Sequence, residues 1–141
     1  MNANELVYPL LRIRGREFSV VTSPEWLETV FKPLLDDGFY TKAEYVTADG
    51  KRVRIRSMKE LGRSSFWNAF NPFMPKRVRV EAVFELVENH GVNLDEIRNL
   101  VLSELTDEST WASRGDFDEI RSKVAVCDNA RDLITALAGD A

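Results

Sequence analysis

Residues 39–57, FYTKAEYVTADGKRVRIRS, decide how the first half of this chain folds. Val53 and Ile55 alternate with arginines, and this period of two is typical of a strand with one buried side. Before them stands Asp49-Gly50, a dipeptide that favours the positive φ angles of a tight turn. The stretch therefore predicts a β-hairpin. Its predicted strands are residues 39–47 and 51–57.

A similar alternation earlier in the chain predicts another hairpin. Leu11 and Ile13 alternate with arginines before Gly15, and Phe18 and Val20 alternate with polar residues after it. A glycine between two alternating runs is typical of a tight turn between antiparallel strands. We therefore expect two N-terminal hairpins that form an antiparallel sheet.

Helices are predicted between the hairpins and in the second half. Ser23-Pro24-Glu25 is typical of a helix start, because serine caps, proline suits the first helical position and glutamate complements the helix dipole. Pro33 would kink this helix or begin a second short one. The second half contains three further cap signals. These predicted caps are Asn93, Asp116 and Asp128.

Residues 77–91 fit two structures. Their apolar side chains alternate like a strand over 78–84 and recur at helical spacing over 80–87. A helix that ends at Gly91 is the favoured interpretation. The patterns together predict one α+β domain over residues 1–141, with an antiparallel sheet from two N-terminal hairpins packed against three or four mainly C-terminal helices.

Four large aromatic side chains lie close together within residues 66–73. A short helix through residues 64–70 is predicted there. If the rings are buried, they join the sheet to the helices; if exposed, they form an interface or a pocket wall. Burial is the favoured interpretation.

The formal net charge of −4 is unevenly distributed over the 141 residues. Residues 1–80 contain 14 Lys and Arg against 9 Asp and Glu, whereas residues 81–141 contain 5 against 14. The acidic half would be repelled by nucleic-acid phosphates. This polarity favours a protein partner over DNA.

The number of cysteines and the hydropathy of the sequence indicate the cellular compartment of the protein. One cysteine, Cys127, excludes an intramolecular disulfide and so a secreted disulfide scaffold. Residues 1–5 contain no basic segment of the kind that begins a signal peptide. No apolar run approaches the roughly 20 residues that span a bilayer. We therefore expect a cytoplasmic protein without a membrane segment.

Arginines alternate along one side of each predicted hairpin. If the hairpins share a sheet, these guanidinium groups could line one face and bind phosphate or carboxylate groups bidentately. The alternative is a solvated face, partly neutralised by Glu17, Glu44 and the acidic second half. The arginines of this predicted anion-binding face are Arg12, Arg14, Arg16, Arg52, Arg54 and Arg56.

Residues 83–102 have the spacing of a helix-turn-helix around Gly91. The second of the two helices carries Asp95 and Glu96 against a lone Arg98. Acidic side chains are repelled by phosphate and release no counterions from DNA. DNA reading is therefore disfavoured.

Residues that support catalysis are scarce. His90 is the only histidine, and its position suggests the end of a helix rather than a catalytic base. Cys127 lies in an apolar run and is expected to be buried rather than nucleophilic. No glycine-rich phosphate loop and no zinc-ligand spacing occurs in the sequence. We expect a protein that is not an enzyme, with no metal and no cofactor.

The acidic residues of the second half outnumber its basic residues. They predict either ion pairs with the arginines of the first half or an exposed anionic surface. Such a surface would attract a basic protein and accelerate its association. The residues of this predicted acidic surface are Glu85, Glu88, Asp95, Glu96, Asp107, Glu108, Asp116, Asp118 and Glu119.

A small acidic α+β protein without a catalytic set resembles the bacterial immunity proteins of contact-dependent inhibition and related systems. Length, charge and the acidic segment 81–119 carry this resemblance, not a motif. It implies a protein that binds and neutralises a cognate toxin, often a nuclease whose basic cleft would suit these carboxylates. The arginine-rich first half departs from that profile and leaves open which face binds.

Two other functions follow from the residues alone. Arg12, Arg14, Arg52 and the arginines near them would suit a nucleic-acid-binding or regulatory protein. A shallow site of Arg, Glu and His90 would suit a small enzyme.

Overall fold

The two predicted hairpins supply four neighbouring strands of an antiparallel sheet that has six strands in the described part of the chain. The structure is a computed structural model, and it describes residues 1–63, 77–91, 93–106 and 116–138. The order across the sheet is β2-β1-β4-β5-β6-β3, so β2 and β3 are its edges. The strands are Leu10–Arg14 (β1), Glu17–Val21 (β2), Thr29–Phe31 (β3), Glu44–Val46 (β4), Lys51–Arg63 (β5) and Arg77–Gly91 (β6).

Helices lie on both faces of this sheet, and the expected α+β fold is confirmed. A short 3-10 helix, Ala3–Glu5, precedes the first strand. Two short helices follow the first hairpin, and three longer helices follow the sheet. These helices are Glu25–Glu28 (α1), Lys32–Asp36 (α2), Leu94–Glu104 (α3), Phe117–Val126 (α4) and Ala130–Ala138 (α5).

Both hairpin turns form where the glycines predict them. Gly15 and Gly50 have φ angles of 61° and 82°, a region that glycine enters without steric cost. At the second turn the Thr47 hydroxyl accepts a hydrogen bond from the backbone N–H of Lys51 at 3.0 Å. It also donates to the Asp49 carboxylate. The turn therefore sets the register between β4 and β5.

The favoured helix over residues 77–91 is wrong, because this segment is the strand β6. It pairs with β5 along most of its length, with Ala82 opposite Met58 and Phe84 opposite Ile55. Val78, Val80, Ala82 and Phe84 are all buried, while alternate residues are exposed or half-buried. The same apolar residues fit both periods, and pairing with a distant strand decides between them.

A single helix from Ser23 is also wrong. The segment contains α1, then β3, then α2, because Thr29–Phe31 pairs with Arg77–Arg79 of β6. Ser23 does not act as the cap, since Pro24 occupies the N-cap position and makes no side-chain cap bond. The alternative prediction for Pro33 is confirmed, because it lies in the first turn of α2.

The three later caps have different outcomes. Asn93 caps α3 as predicted, since its Oδ1 accepts from the backbone N–H of Glu96 at 3.2 Å. Asp116 precedes α4 but makes no side-chain cap bond. The predicted cap at Asp128 is wrong, because Asn129 accepts from the N–H of Asp132 at 2.8 Å. The predicted helix over 64–70 and the aromatic cluster over 66–73 lie outside the described residues.

Each face of the sheet carries its own hydrophobic layer. Leu10 and Leu11 are adjacent, both fully buried, and belong to different layers, and so do Tyr45 and Val46. The N-terminal layer joins one face to the 3-10 helix, α1 and the segment 34–43. The helical layer joins the other face to α3, α4 and α5. The most deeply buried helical-layer residues are Leu11, Val101, Leu105, Val124, Leu133, Ile134 and Leu137.

Candidate functional site

The register of the sheet divides the arginines of the predicted anion-binding face between its two faces. Arg12 lies opposite Tyr45, whereas Arg52 lies opposite Val46. Opposite residues in an antiparallel pair point to the same face, and neighbours along a strand point to opposite faces. Arg12 therefore shares the face of the N-terminal layer and Arg52 that of the helical layer. The single face of six guanidinium groups does not form.

The arginines of β5 are engaged in ion pairs across the strands. Arg52 bonds the Glu44 carboxylate at 2.6 Å, and this bond raises the pKa of Arg52. Arg54 bonds Glu85 at 2.7 Å. Arg56 is exposed, at an irregularity of the strand between Ile55 and Ser57. These contacts agree with the alternative to an anion-binding face, in which carboxylates partly neutralise the arginines.

The arginines of the first hairpin have other partners. The guanidinium of Arg12 lies 5.3–5.5 Å from the ring centres of Phe39, Tyr40 and Tyr45. Arg14 lies 5.2 Å from the Phe39 ring. The exposed Arg16 pairs with Glu104 at 3.3 Å. The predicted strand over residues 39–47 is wrong in its first part, because only Glu44–Val46 is a strand. Phe39 and Tyr40 lie in a turn that brings their rings over Arg12, a contact that strand alternation does not predict.

The described residues of the predicted acidic surface are distributed over β6, α3 and the first part of α4. Glu85 lies on β6 beside Arg54, and the charge of Glu96 acts on Arg52 across the cleft between α3 and the sheet. Asp95 is exposed and bonds Arg98 at 2.7 Å. Asp118 is exposed on α4. Asp107, Glu108 and the side chain of Glu88 lie outside the part of the chain that the structure describes.

One cleft gathers carboxylates from two elements, α4 and α5. Its volume is about 320 Å³. Glu119 bonds Lys123 at 2.9 Å on its α4 wall, and Val126 at the same wall is 76% exposed. The charged residues that line this α4–α5 cleft are Asp116, Glu119, Lys123, Asp128 and Asp132.

Sequence reasoning identified half of the carboxylates in the α4–α5 cleft. Asp116 and Glu119 belong to the predicted acidic surface. Asp128 was interpreted as a cap, and Asp132 was not singled out. Asp128 lies in the connection before α5 and Asp132 in its first turn, so no helical spacing relates them. Only the packing of α4 on α5 shows that the two pairs share a cleft.

Arg98 ties α3 to the end of α4. Its guanidinium donates to the Cys127 carbonyl and to Asp95. Its contact with the Cys127 side chain raises the pKa of Arg98. The Cys127 thiol donates to the Val124 carbonyl at 3.1 Å and is buried, so the expectation of a buried cysteine is confirmed. These contacts hold the floor of the α4–α5 cleft in place.

Within residues 1–63, 77–91, 93–106 and 116–138, no three His, Cys, Asp or Glu side chains come close enough to hold a metal ion. Within the same ranges, no helix has both the length and the apolar character that crossing a bilayer demands.

Comparisons with known proteins identify no relative of this chain. No family model matches the chain, and neither a curated protein nor a solved structure matches it.

Proposed function

We propose that this protein is a non-catalytic binding module whose α4–α5 cleft receives a basic protein partner. The observation that supports it is the composition of the cleft, where four carboxylates stand against one lysine. A concave surface with excess negative charge attracts cationic groups and raises the association rate of a basic protein. The exposed Val126 at the cleft adds apolar area of the kind that interfaces bury.

The α4–α5 cleft is the best candidate because its carboxylates outnumber its lysine, even though Glu119 is bonded to Lys123. Elsewhere, Glu85 is bonded to Arg54 and Glu44 to Arg52, one carboxylate for each arginine. A balanced ion pair has a weaker field at long range than a group with net charge. Among the described residues, the acidic half would therefore act on a partner mainly through this cleft.

The class of partner follows from the resemblance to immunity proteins. In that class, the immunity protein masks the active site or the substrate surface of a toxin. A nuclease toxin has a basic cleft that binds phosphates, and the carboxylates of α4 and α5 would occupy it. We therefore propose a toxin domain, with nuclease activity as the specific case, as the partner.

The test is an association measurement against the purified product of the adjacent gene. The variant combines Glu119→Gln with Asp128→Asn, which removes two charges from the cleft at nearly constant volume. We expect the association rate constant at low salt to fall about tenfold, with a smaller change in the dissociation rate. Added salt would reduce this difference.

A matched control removes two exposed charges elsewhere, Glu5→Gln with Glu17→Gln. It changes the net charge equally and should leave the association rate within about twofold of the parent. Equal losses in the two variants would show that net charge, and not the α4–α5 cleft, governs binding. No binding to that gene product would contradict the toxin assignment.

A further inference from the structure

The two edges of the sheet line a common groove. β2 and β3 are at opposite ends of the strand order, yet Val20 and Val21 of one and Val30 of the other line the same cavity of about 330 Å³. The sheet is therefore curled so strongly that it almost closes. We call this cavity the edge groove. The aromatic and cationic side chains that line it are Arg12, Trp26, Phe31, Phe39, Tyr40 and Arg77.

The edge groove is cationic in a protein that is acidic overall. Two guanidinium groups, those of Arg12 and Arg77, line it, and no carboxylate is among its described lining residues. Within the described part of the chain, neither arginine forms an ion pair. Arg52 and Arg54, in contrast, each have a carboxylate within 2.7 Å. The groove therefore keeps positive charge of the kind that carboxylates neutralise at Arg52 and Arg54.

Arg12 is held in position by aromatic rings rather than by a carboxylate. Its guanidinium lies over Phe39, Tyr40 and Tyr45, and its Nε donates to the Tyr45 hydroxyl at 3.3 Å. This leaves the two terminal Nη atoms, with four N–H donors, for an acceptor in the groove. A guanidinium fork held in this way binds an oxyanion with little loss of side-chain entropy.

The groove also offers flat apolar surface. Trp26 is 54% exposed, which is unusual for the largest aromatic side chain. Arg77 lies over the Phe31 ring, with its guanidinium carbon 5.0 Å from the ring centre. Exposed aromatic faces beside guanidinium groups bind planar rings by stacking.

The edge of β3 is not available to an added peptide strand. The backbone N–H of Phe31 donates to the Tyr40 hydroxyl at 3.3 Å. The N–H of Thr29 donates to the Glu25 carbonyl. Strand addition needs such donors free, so recognition in the groove must use side chains.

We propose that the edge groove binds a small planar anion, an aromatic ring that carries a phosphate, as in a nucleoside monophosphate. Arg12 and Arg77 would hold the phosphate, and Trp26 would stack on the ring. A nucleic-acid strand is disfavoured because Arg52 and Arg54 are ion-paired on strand β5, outside the groove. This site is independent of the α4–α5 cleft.

The test follows tryptophan fluorescence of the full chain during titration with adenosine 5′-monophosphate. We expect saturable quenching that Trp26→Phe abolishes, which separates Trp26 from the other two tryptophans. Adenosine and ribose 5-phosphate, which each lack one of the two recognised groups, should bind at least about tenfold more weakly. A short oligonucleotide is titrated in the same way, to test whether the groove binds a nucleic-acid strand instead.

Charge variants locate the phosphate. Arg77→Gln, at an exposed position, should weaken binding about tenfold, and the control Arg56→Gln should leave it unchanged. Arg12→Lys should also weaken binding, and a thermal melt identifies any loss of folding. Absence of monophosphate binding, adenosine binding of equal affinity, or binding of the oligonucleotide alone would each overturn the proposal. The proposal would also be overturned if Arg77→Gln and Arg56→Gln changed the binding affinity equally.

Discussion

Tyr45 shows how strongly one side chain depends on contacts that are distant in sequence. Its ring is fully buried, and its hydroxyl donates to the Tyr40 carbonyl at 3.3 Å while accepting from Arg12. Burial is the main cause that raises the pKa of Tyr45, and the charge of Arg12 partly offsets it. Burial also raises the pKa of Tyr8, whose hydroxyl donates to the Ala3 carbonyl at 2.7 Å.

These tyrosines predict a loss of stability at high pH. Because their folded pKa values lie above the unfolded value of 10.0, their contribution is complete below pH 10. It is lost as the pH rises from 10 toward the folded pKa values. Tyr45→Phe should cost about 1 kcal/mol at pH 7 and make the unfolding free energy fall less steeply above pH 10.

Urea denaturation at a series of pH values measures this effect. Tyr8→Phe serves as the comparison, since it removes the other buried phenol and should also reduce the slope. An unchanged slope above pH 10 in Tyr45→Phe would contradict the assignment of the alkaline loss to Tyr45.

At the scale of elements, signals from neighbouring residues predict turns and helix caps, whereas strand pairing depends on residues distant in sequence. The hairpin turn at Gly50 and the cap at Asn93 form as predicted, because each involves residues within a few positions. The start of α5 shows the limit of such signals, because Asp128 and Asn129 are both good caps and only one makes the bond. Cap propensity alone does not choose between two neighbouring candidates; the hydrogen bond in the folded chain identifies Asn129.

Alanine variants at these two positions test the assignment of the cap. Asn129→Ala should lower the free energy of unfolding by about 1 kcal/mol, because the N–H of Asp132 loses its acceptor. Asp128→Ala should stay within about 0.5 kcal/mol of the parent, as for an exposed residue without such a role. Chemical denaturation followed by circular dichroism measures both, and the reverse order of effects would restore Asp128 as the cap.

At the scale of the whole molecule, one sheet connects two hydrophobic layers. Leu10 and Leu11 of β1 point into the N-terminal and helical layers respectively, and neither is exposed. Loss of either layer exposes one face of the same strands. We therefore expect the two layers to unfold together, as one cooperative domain.

Truncations in the two layers test this cooperativity. Leu27→Ala in the N-terminal layer and Leu133→Ala in the helical layer remove buried side chains, and each should cost about 2–5 kcal/mol. In each variant the near-ultraviolet signal of the aromatic residues and the far-ultraviolet signal of the helices should shift to the same midpoint. Leu61→Ala, at a half-exposed position, is the control and should cost less than about 0.5 kcal/mol. Separate midpoints in Leu133→Ala would show two independent units.

The candidate sites could be predicted only in part, because their side chains come together through contacts between residues distant in sequence. The excess of acidic residues identifies Asp116 and Glu119, but the placement of Asp128 and Asp132 beside them depends on the packing of α4 against α5. Arg12 was identified from strand alternation, but its aromatic surroundings come from a loop and from the next hairpin. Arg77 was not singled out, because its place in the edge groove depends on curling of the sheet.

The sequence by itself determined the turns of both hairpins, the α+β class and the cap of α3. These features depend on φ preferences, side-chain period and hydrogen bonds between residues close in the chain. Only the tertiary structure decided that residues 77–91 form a strand and that the arginines lie on different faces. The physical reason is that backbone hydrogen bonds to a distant strand set the register, and a register shift of one residue moves every side chain to the other face.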